Sequence, residues 1–252
     1  MHIDVVTLFP DMVESFFKNS IMAKAVEKGI ITYNLINFRD FATDKHKTCD
    51  DVPYGGGAGM VIMPGPLSAA LNSIDAKNKR VIFPTPSGKL FTQDYAKDLS
   101  KEDNLVFVCG HYEGIDQRII DEYVDDEISI GDYVISSGET SSVVIIDAVY
   151  RLVEGVISAE SLDDESFTSP LLEYPQYTRP ERYCQKKVPD VLLSGHHERI
   201  ATWRDFRRLE KTMLSRPEVL IRASLDVESR KKIIELLDKN KGTCQNGHDQ
   251  SY

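Results

Sequence analysis

Short apolar runs alternate with amphipathic stretches through residues 1–157. Ile3–Leu8 is apolar and β-branched and ends at Phe9-Pro10, the pattern of a strand buried on both faces. A helix over about Met12–Lys28 follows, closed by Gly29, and Thr32–Asn37 reads as a second strand. Leu67–Ser73 predicts a short helix, Arg80–Phe83 a third strand, Thr92–Ser100 a helix capped by its threonine, and Leu105–Val108 a fourth strand. Glu127–Ile130 is a further β-prone run. Ser142–Val153 then carries Ile145, Ile146, Val149, Leu152 and Val153 at helical spacing, with Arg151 on its last turn. This alternation predicts an α/β fold with a mainly parallel sheet and helices on its faces.

The pattern changes after Val153. Glu154–Pro180 holds acidic residues and prolines with little periodicity, as a linker or flap would. His196–Ser215 returns to helical spacing, with Ile200, Trp203, Phe206, Leu209 and Met213 on one stripe, and Glu228–Asn240 follows with Ile233, Leu236 and Leu237. Two unequal domains are expected: a larger one over 1–157, a linker over 158–170, and a small helical domain over 171–252 whose tail, Gly242–Tyr252, is disordered. One stretch in the first domain, Arg39–Val61, has no clean period and is too long for an ordinary connection. Loops of that length are usually functional.

Charge sharpens the division. The 252 residues carry a formal net charge of −10, which excludes a simple basic nucleic-acid binder. Residues 1–170 hold 14 Lys/Arg against 28 Asp/Glu, whereas residues 171–232 hold 14 against 9. A polyanion would be drawn to the second region; a solvated helix face is the competing reading. Cys49, Cys109, Cys184 and Cys244 form no CxxC pair, which predicts reduced thiols and neither a disulfide nor a zinc site. No apolar run is long enough to span a bilayer, and Met1-His2-Ile3-Asp4 lacks a secretory pattern, so a cytoplasmic location is expected.

Candidate chemistry concentrates where apolar runs end in glycine-bearing turns. Leu105–Val108 stops at Cys109-Gly110 and leads into His111-Tyr112-Glu113-Gly114; Glu127–Ile130 stops at Gly131-Asp132-Tyr133. In an open α/β sheet such loops share one crevice at the carboxyl ends of the strands. Thr85-Pro86-Ser87-Gly88 gives a third loop there, although an ordinary turn explains it equally well. Glu113 is suited to accept hydrogen bonds from ribose hydroxyls or an amino group, and Asp116 to cap the next helix. Tyr54-Gly55-Gly56-Gly57-Ala58-Gly59 places four glycines in six residues, so a partner must approach this backbone closely; no Gly-Lys-Ser/Thr follows, which removes a Walker A reading. In the linker, Asp163-Asp164-Glu165 offers a general base if a carboxylate lies beside a cation such as Arg151. His196-His197 has no third ligand at metal spacing, and Arg204, Arg207, Arg208 and Lys211 suit phosphate contacts.

Five of these segments occur together and in order: Pro53–Met60, Gly110–Asp116, Ser129–Tyr133, Tyr177–Pro180 and Leu192–Gly195. With them the chain, apart from its tail, resembles the TrmD family of bacterial tRNA (guanine-N1)-methyltransferases in the SPOUT class. The resemblance implies a parallel sheet with a trefoil knot at the C-terminal end of the N-terminal domain, followed by a small α-helical domain. It implies transfer of a methyl group from S-adenosyl-L-methionine to N1 of guanosine 37, just 3′ of the tRNA anticodon, which protects the reading frame. An obligate homodimer with interface sites is implied too, and Mg2+ is suggested as a helper, with no metal-ligand cluster in the sequence to hold it.

Carried over by the same resemblance, the methyl donor takes Thr85, Pro86, Gly88, Gly110, Tyr112, Glu113, Ser129, Ile130, Gly131, Tyr133, Ile135 and Gly138. Arg151 stabilises the guanine as its proton leaves. Tyr54, Gly55, Gly59, Arg179, Ser194, His197 and Arg204 face the tRNA anticodon stem-loop. The chain departs from the family where an aspartate usually precedes Ser-Phe: Glu165 stands before Ser166-Phe167, Asp164 lies one residue earlier, and the linker is one residue short. Glu165 is the favoured base because it needs no register change. Ser136-Ser137-Gly138-Glu139 replaces Ser-Gly-Gly-Glu, and Ser141 a usual proline. Two other readings compete: a SPOUT enzyme of another RNA, and a non-catalytic RNA-binding homologue.

Overall fold

In the computed structural model, which describes residues 1–157, 171–223 and 229–234, the chain starts with β1 (His2–Thr7), α1 (Pro10–Phe17), α2 (Ser20–Glu27) and β2 (Thr32–Asn37). The single helix expected over Met12–Lys28 is therefore two. Ser20 takes φ +59°, a left-handed conformation that an α-helix does not pass through. Both pieces still bury their apolar side, Val13 and Phe17 in one and Met22 and Ala25 in the other, so periodicity carried no sign of the break.

Residues 38–62 contain a 3-10 turn at Phe38–Phe41 and two short antiparallel strands, β3 (Asp50–Asp51) and β4 (Val61–Ile62). Then follow α3 (Pro64–Ser73), β5 (Arg80–Leu90), α4 (Gln93–Leu99), β6 (Asn104–Val108), α5 (Gln117–Tyr123), β7 (Asp126–Ser129) and α6 (Gly138–Tyr150). The main sheet runs β2-β1-β6-β5-β7, with every pair parallel. β5 extends well past Phe83. Pro84 pairs with Ile128, and so does Lys89, so Thr85-Pro86-Ser87-Gly88 is an excursion inside the strand rather than a turn after it. Proline lacks the N–H of a sheet ladder, which is why the pairing slips there.

Successive strand residues point to opposite faces, and here both faces are covered. Ile3, Val5, Ile82, Leu105, Phe107 and Ile128 pack under the helices α1, α2, α4 and α6. Val6, Val81, Phe83, Val106 and Val108 pack under α3 and α5, with Phe38. The apolar run of β6, and that of β1 broken by the buried Asp4, which pairs with Lys79, are the sequence record of this two-sided burial.

Contact density divides the chain into two compact units, Met1–Ser158 and Ala159–Tyr252. The described part of the second holds a hairpin of β8 (Arg182–Tyr183) and β9 (Lys186–Lys187), then α7 (Asp190–Leu193), α8 (His197–Ser215) and α9 (Pro217–Arg222). Residues 229–234 are helical. On α8 the most buried residues are Arg208, Leu209 and Thr212. The expected linker 158–170 and tail Gly242–Tyr252 lie outside the described residues.

The amino-terminal edge of the sheet is closed by charge pairs. Arg80 at the start of β5 donates from Nε to Asp126 of β7 at 2.7 Å and reaches Glu102 at 2.9 Å, and the Tyr95 hydroxyl of α4 also donates to Asp126. Burial pushes the Asp126 carboxyl up, but the Arg80 and Tyr95 hydrogen bonds outweigh it and hold the group below the usual carboxylate range. Burial, reinforced by Asp126, pushes Tyr95 up to about 12. A depressed carboxyl stabilises the fold fully above its unfolded value near pH 4, and this is lost as pH falls through the folded value. Asp126→Asn is expected to lower the unfolding free energy by about 2 kcal/mol at pH 7. The deficit relative to wild type should shrink in urea titrations at successively lower pH between 4 and 2.

Candidate functional site

β5, β6 and β7 run parallel, so the segments at their carboxyl ends emerge at one edge of the sheet. Together with the lead into α6 they line a single cleft. Thr85 and Pro86 come from the β5 excursion; Gly110, Tyr112 and Glu113 from the loop after β6; Ser129, Ile130, Gly131 and Tyr133 from the turn after β7; Ile135 and Gly138 from the approach to α6. Of the residues carried over to the methyl donor, Gly88 alone lies outside this lining. It sits so close to the Glu127–Ile128 backbone that a side chain would collide with it.

The lining contains no lysine or arginine, and apart from the imidazole of His111 its one ionisable group besides tyrosine hydroxyl is the Glu113 carboxylate. A polyphosphate would find no counter-charge here, whereas a cation would. Apolar wall comes from Phe83, Ile130, Val134 and Ile135, and polar side chains from Thr85, Ser129, Ser136 and Ser137. Close approach of backbone to backbone holds the floor: Gly138 N donates to Gly110 O at 2.9 Å. A Cβ on Gly138 would lie 2.6 Å from Gly110 N. Tyr112 is held at φ +58°, a conformation costly for a bulky residue.

The glycine-rich loop reaches this site through Glu113. Gly55, Gly56, Gly57 and Gly59 all take positive φ, from +81° to +129°. Ile62 N donates to Gly114 O at 3.0 Å, Glu113 N to Met60 O at 3.0 Å, and Asp116 N to Ile62 O at 3.1 Å. The exit of the loop is thereby strapped to the segment after β6, with Gly59 directly against the Glu113 side chain. Tyr54 and Gly55, at the other end of the loop, are exposed. Asp116 accepts from Arg118 N at 3.0 Å and caps α5.

A group that sequence reasoning passed over lies beneath the cleft. Glu139, in the first turn of α6, is 1% exposed. It accepts from the Thr7 hydroxyl at the end of β1 and, at 2.7 Å, from His111 Nε2. A carboxylate only accepts, so the ring proton sits on Nε2. Thr7 in turn accepts from Phe9 N at 2.8 Å. The available signal was a glutamate just inside a helix that opens after a glycine-bearing turn.

Within the first unit, Arg151 is not part of the cleft lining. Arg151 forms the carboxyl cap of α6, half-buried. In the second unit Arg179, Ser194 and His197 are exposed, and the Ser194 hydroxyl donates to Val191 O at 2.7 Å. The Arg204 guanidinium lies 4.7 Å from the centre of the Tyr174 ring, with its Nε buried and unpaired, and Arg208 is buried against the same ring. Arg207 pairs with Glu210. Of the four cations expected to face phosphate on this helix, Lys211 is the one that is exposed. Glu165 and Asp164 lie outside the described residues. Among the described residues no group of three or more His, Cys, Asp or Glu side chains is arranged to hold a metal ion.

Residues 1–222 match the family described as tRNA (Guanine-1)-methyltransferase TrmD. Three relatives named tRNA (guanine-N(1)-)-methyltransferase are similar over most of both chains. That of Treponema denticola is 66% identical, across 88% of this chain and 92% of its own. That of Treponema pallidum is 60% identical, across 87% and 88%, and that of Borrelia hermsii 52%, across 96% and 98%.

Two substitutions test how the cleft floor is held. Gly138→Ala forces α6 away from Gly110 and is expected to cost about 2 kcal/mol, while Gly65→Ala, with nothing within 4 Å, serves as a near-neutral control. Glu139→Ala leaves Thr7 and His111 without their acceptor, a loss of about 2 kcal/mol. Urea unfolding of the three variants beside wild type measures both.

Proposed function

The chain belongs to the TrmD family of tRNA (guanine-1)-methyltransferases, and on that premise we propose that it methylates N1 of guanosine at tRNA position 37, 3′ of the anticodon, and so protects the reading frame. S-adenosylmethionine is the donor. The observation that carries this reading is the charge of the cleft: no lysine or arginine lines it, and Glu113 faces it. That is the opposite of a phosphate pocket and matches a ligand bearing a sulfonium cation. When bound, the donor supplies an electrophilic methyl group on that sulfur.

Residues of this chain do the rest. Backbone groups of the β6 and β7 loops and the apolar walls, Ile130 and Ile135, hold the adenine, and Glu113 accepts from the ribose or amino groups. The Arg151 guanidinium offsets negative charge gathering on the guanine as N1 loses its proton. Glu165 takes that proton. The N1–carbon bond forms as the sulfur–carbon bond breaks, leaving a neutral thioether. Holding the two reactants in line supplies much of the rate. Mg2+ has no cluster of ligands among the described residues, and no step is routed through it.

Three further features belong to the same reading. The backbone from the β5 excursion to α6 forms the trefoil knot of the SPOUT class; the contact of Gly138 with Gly110 supports this. Two chains pair to complete each site, for which exposed Phe9, Met12, Tyr112 and Val144 provide apolar surface. The enzyme works in the cytoplasm, where its tRNA is found. No described helix is long and apolar enough to cross a membrane.

Incubating wild type with radiolabelled S-adenosylmethionine and unmodified tRNA bearing guanosines at positions 36 and 37 should yield 1-methylguanosine at 37. Glu165→Gln is expected to slow the reaction about a hundredfold or more, and Asp164→Asn to leave it within a few fold. A wild type that binds the donor but methylates nothing would reverse the catalytic reading. A methylated ribose, or transfer to another RNA alone, would reverse the substrate.

A further inference from the structure

The β8–β9 hairpin is built against its own electrostatics. Its register places Arg182 opposite Lys187 and Tyr183 opposite Lys186. Like charges directly across a strand pair repel, and a two-stranded hairpin has little else to hold it. Lys187 is neutralised by Asp190 at 2.7 Å and Glu181 at 3.6 Å. Arg182 and Lys186 are exposed, and neither has an acidic partner among the described residues. The two turn residues, Cys184 and Gln185, take φ +45° and +66°, the geometry of the tightest hairpin turn, although neither is the glycine or asparagine that such turns favour. Arg182, Tyr183 and Lys186 are thus carried at close, fixed spacing on a short projecting arm.

Tyr183 adds a second observation. It is 72% exposed, whereas Tyr174 and Trp203 of the same unit are each in contact with another ring or a guanidinium. Tyr183 stands directly across the strand pair from Lys186, while Arg182, its neighbour in sequence, points to the opposite face. An exposed aromatic ring with cations beside it is a combination that binds RNA, phosphates by the cations and an unpaired base by the ring. The surrounding sequence supports that partner over an acidic protein surface: residues 171–232 hold 14 Lys/Arg against 9 Asp/Glu in a chain of net charge −10.

We infer that the β8–β9 hairpin is an RNA-contacting arm, with Arg182 and Lys186 on phosphates of the tRNA substrate and Tyr183 stacked on an unpaired base. This rests on the tRNA reading above and adds a contact surface to it. Arg204 and Arg208 are packed on the Tyr174 ring, so the hairpin, together with Lys211, is among the cationic features of the unit that face solvent.

The experiment uses full-length wild type, Arg182→Gln/Lys186→Gln, Tyr183→Ala and Tyr183→Phe. Affinity for unmodified tRNA is measured by filter binding from 50 to about 300 mM salt, and affinity for S-adenosylmethionine by calorimetry. The double variant should bind tRNA about tenfold more weakly at low salt, with a log–log salt slope shallower by about 1 to 2. Tyr183→Ala should lose about five- to tenfold with the slope unchanged, and Tyr183→Phe should retain wild-type affinity. Donor affinity and thermal melting should not move in any variant. Wild-type tRNA affinity and slope in both the double variant and Tyr183→Ala would overturn the inference while leaving the methyltransferase reading intact. A wild type that binds the donor but not tRNA would sink both.

Discussion

A carboxylate cannot be taken out of water unless something replaces the water, and Glu139 shows what that requirement does to this fold. Its burial would cost several kcal/mol if it were unpaired. The compensation comes from Thr7 at the end of β1 and His111 in the loop after β6. These three residues are distant in sequence and meet only when β1, β6 and α6 are all in place. The same network fixes the start of α6, and with it the approach of Gly138 to Gly110 that forms the cleft floor. The site is therefore a consequence of the core beneath it.

The cleft works by backbone and by what it leaves out. A parallel sheet brings three strand ends to one edge; glycine at Gly138 lets main chain approach main chain more closely than any side chain permits, and glycine at Gly110 leaves room for the Phe83 ring. Cations are excluded from its lining, and one carboxylate, Glu113, faces inward. The glycine-rich loop is strapped to the segment that carries Glu113, so movement in one is transmitted to the other.

Charge in the second unit illustrates the difference between residues counted and residues available. Arg204, Arg207 and Arg208 read from the sequence as a basic helix face, yet two of them lie on the Tyr174 ring and the third is paired with Glu210. Their aliphatic stems and planar heads make them packing residues. Arg182 and Lys186, on a hairpin too short to show any periodicity, face water, as does Lys211.

The sequence by itself determined β1, β2, α4 and β6, because each is defined by local burial that leaves a period in the chain: Leu105 to Val108 are apolar without interruption, and Ile3 to Val6 are broken only by Asp4, because both sheet faces are covered. Thr92 as a helix cap and Asp116 as another were legible for the same reason, since a cap bonds within three residues of itself. The family was legible from five motifs in register. Only the tertiary structure decided the break at Ser20, the extension of β5 beyond Pro84, the strap between Met60 and Glu113, and the burial of Glu139. The last three depend on a partner tens of residues away, and a hydrogen bond or a close approach across that distance leaves no local pattern to read.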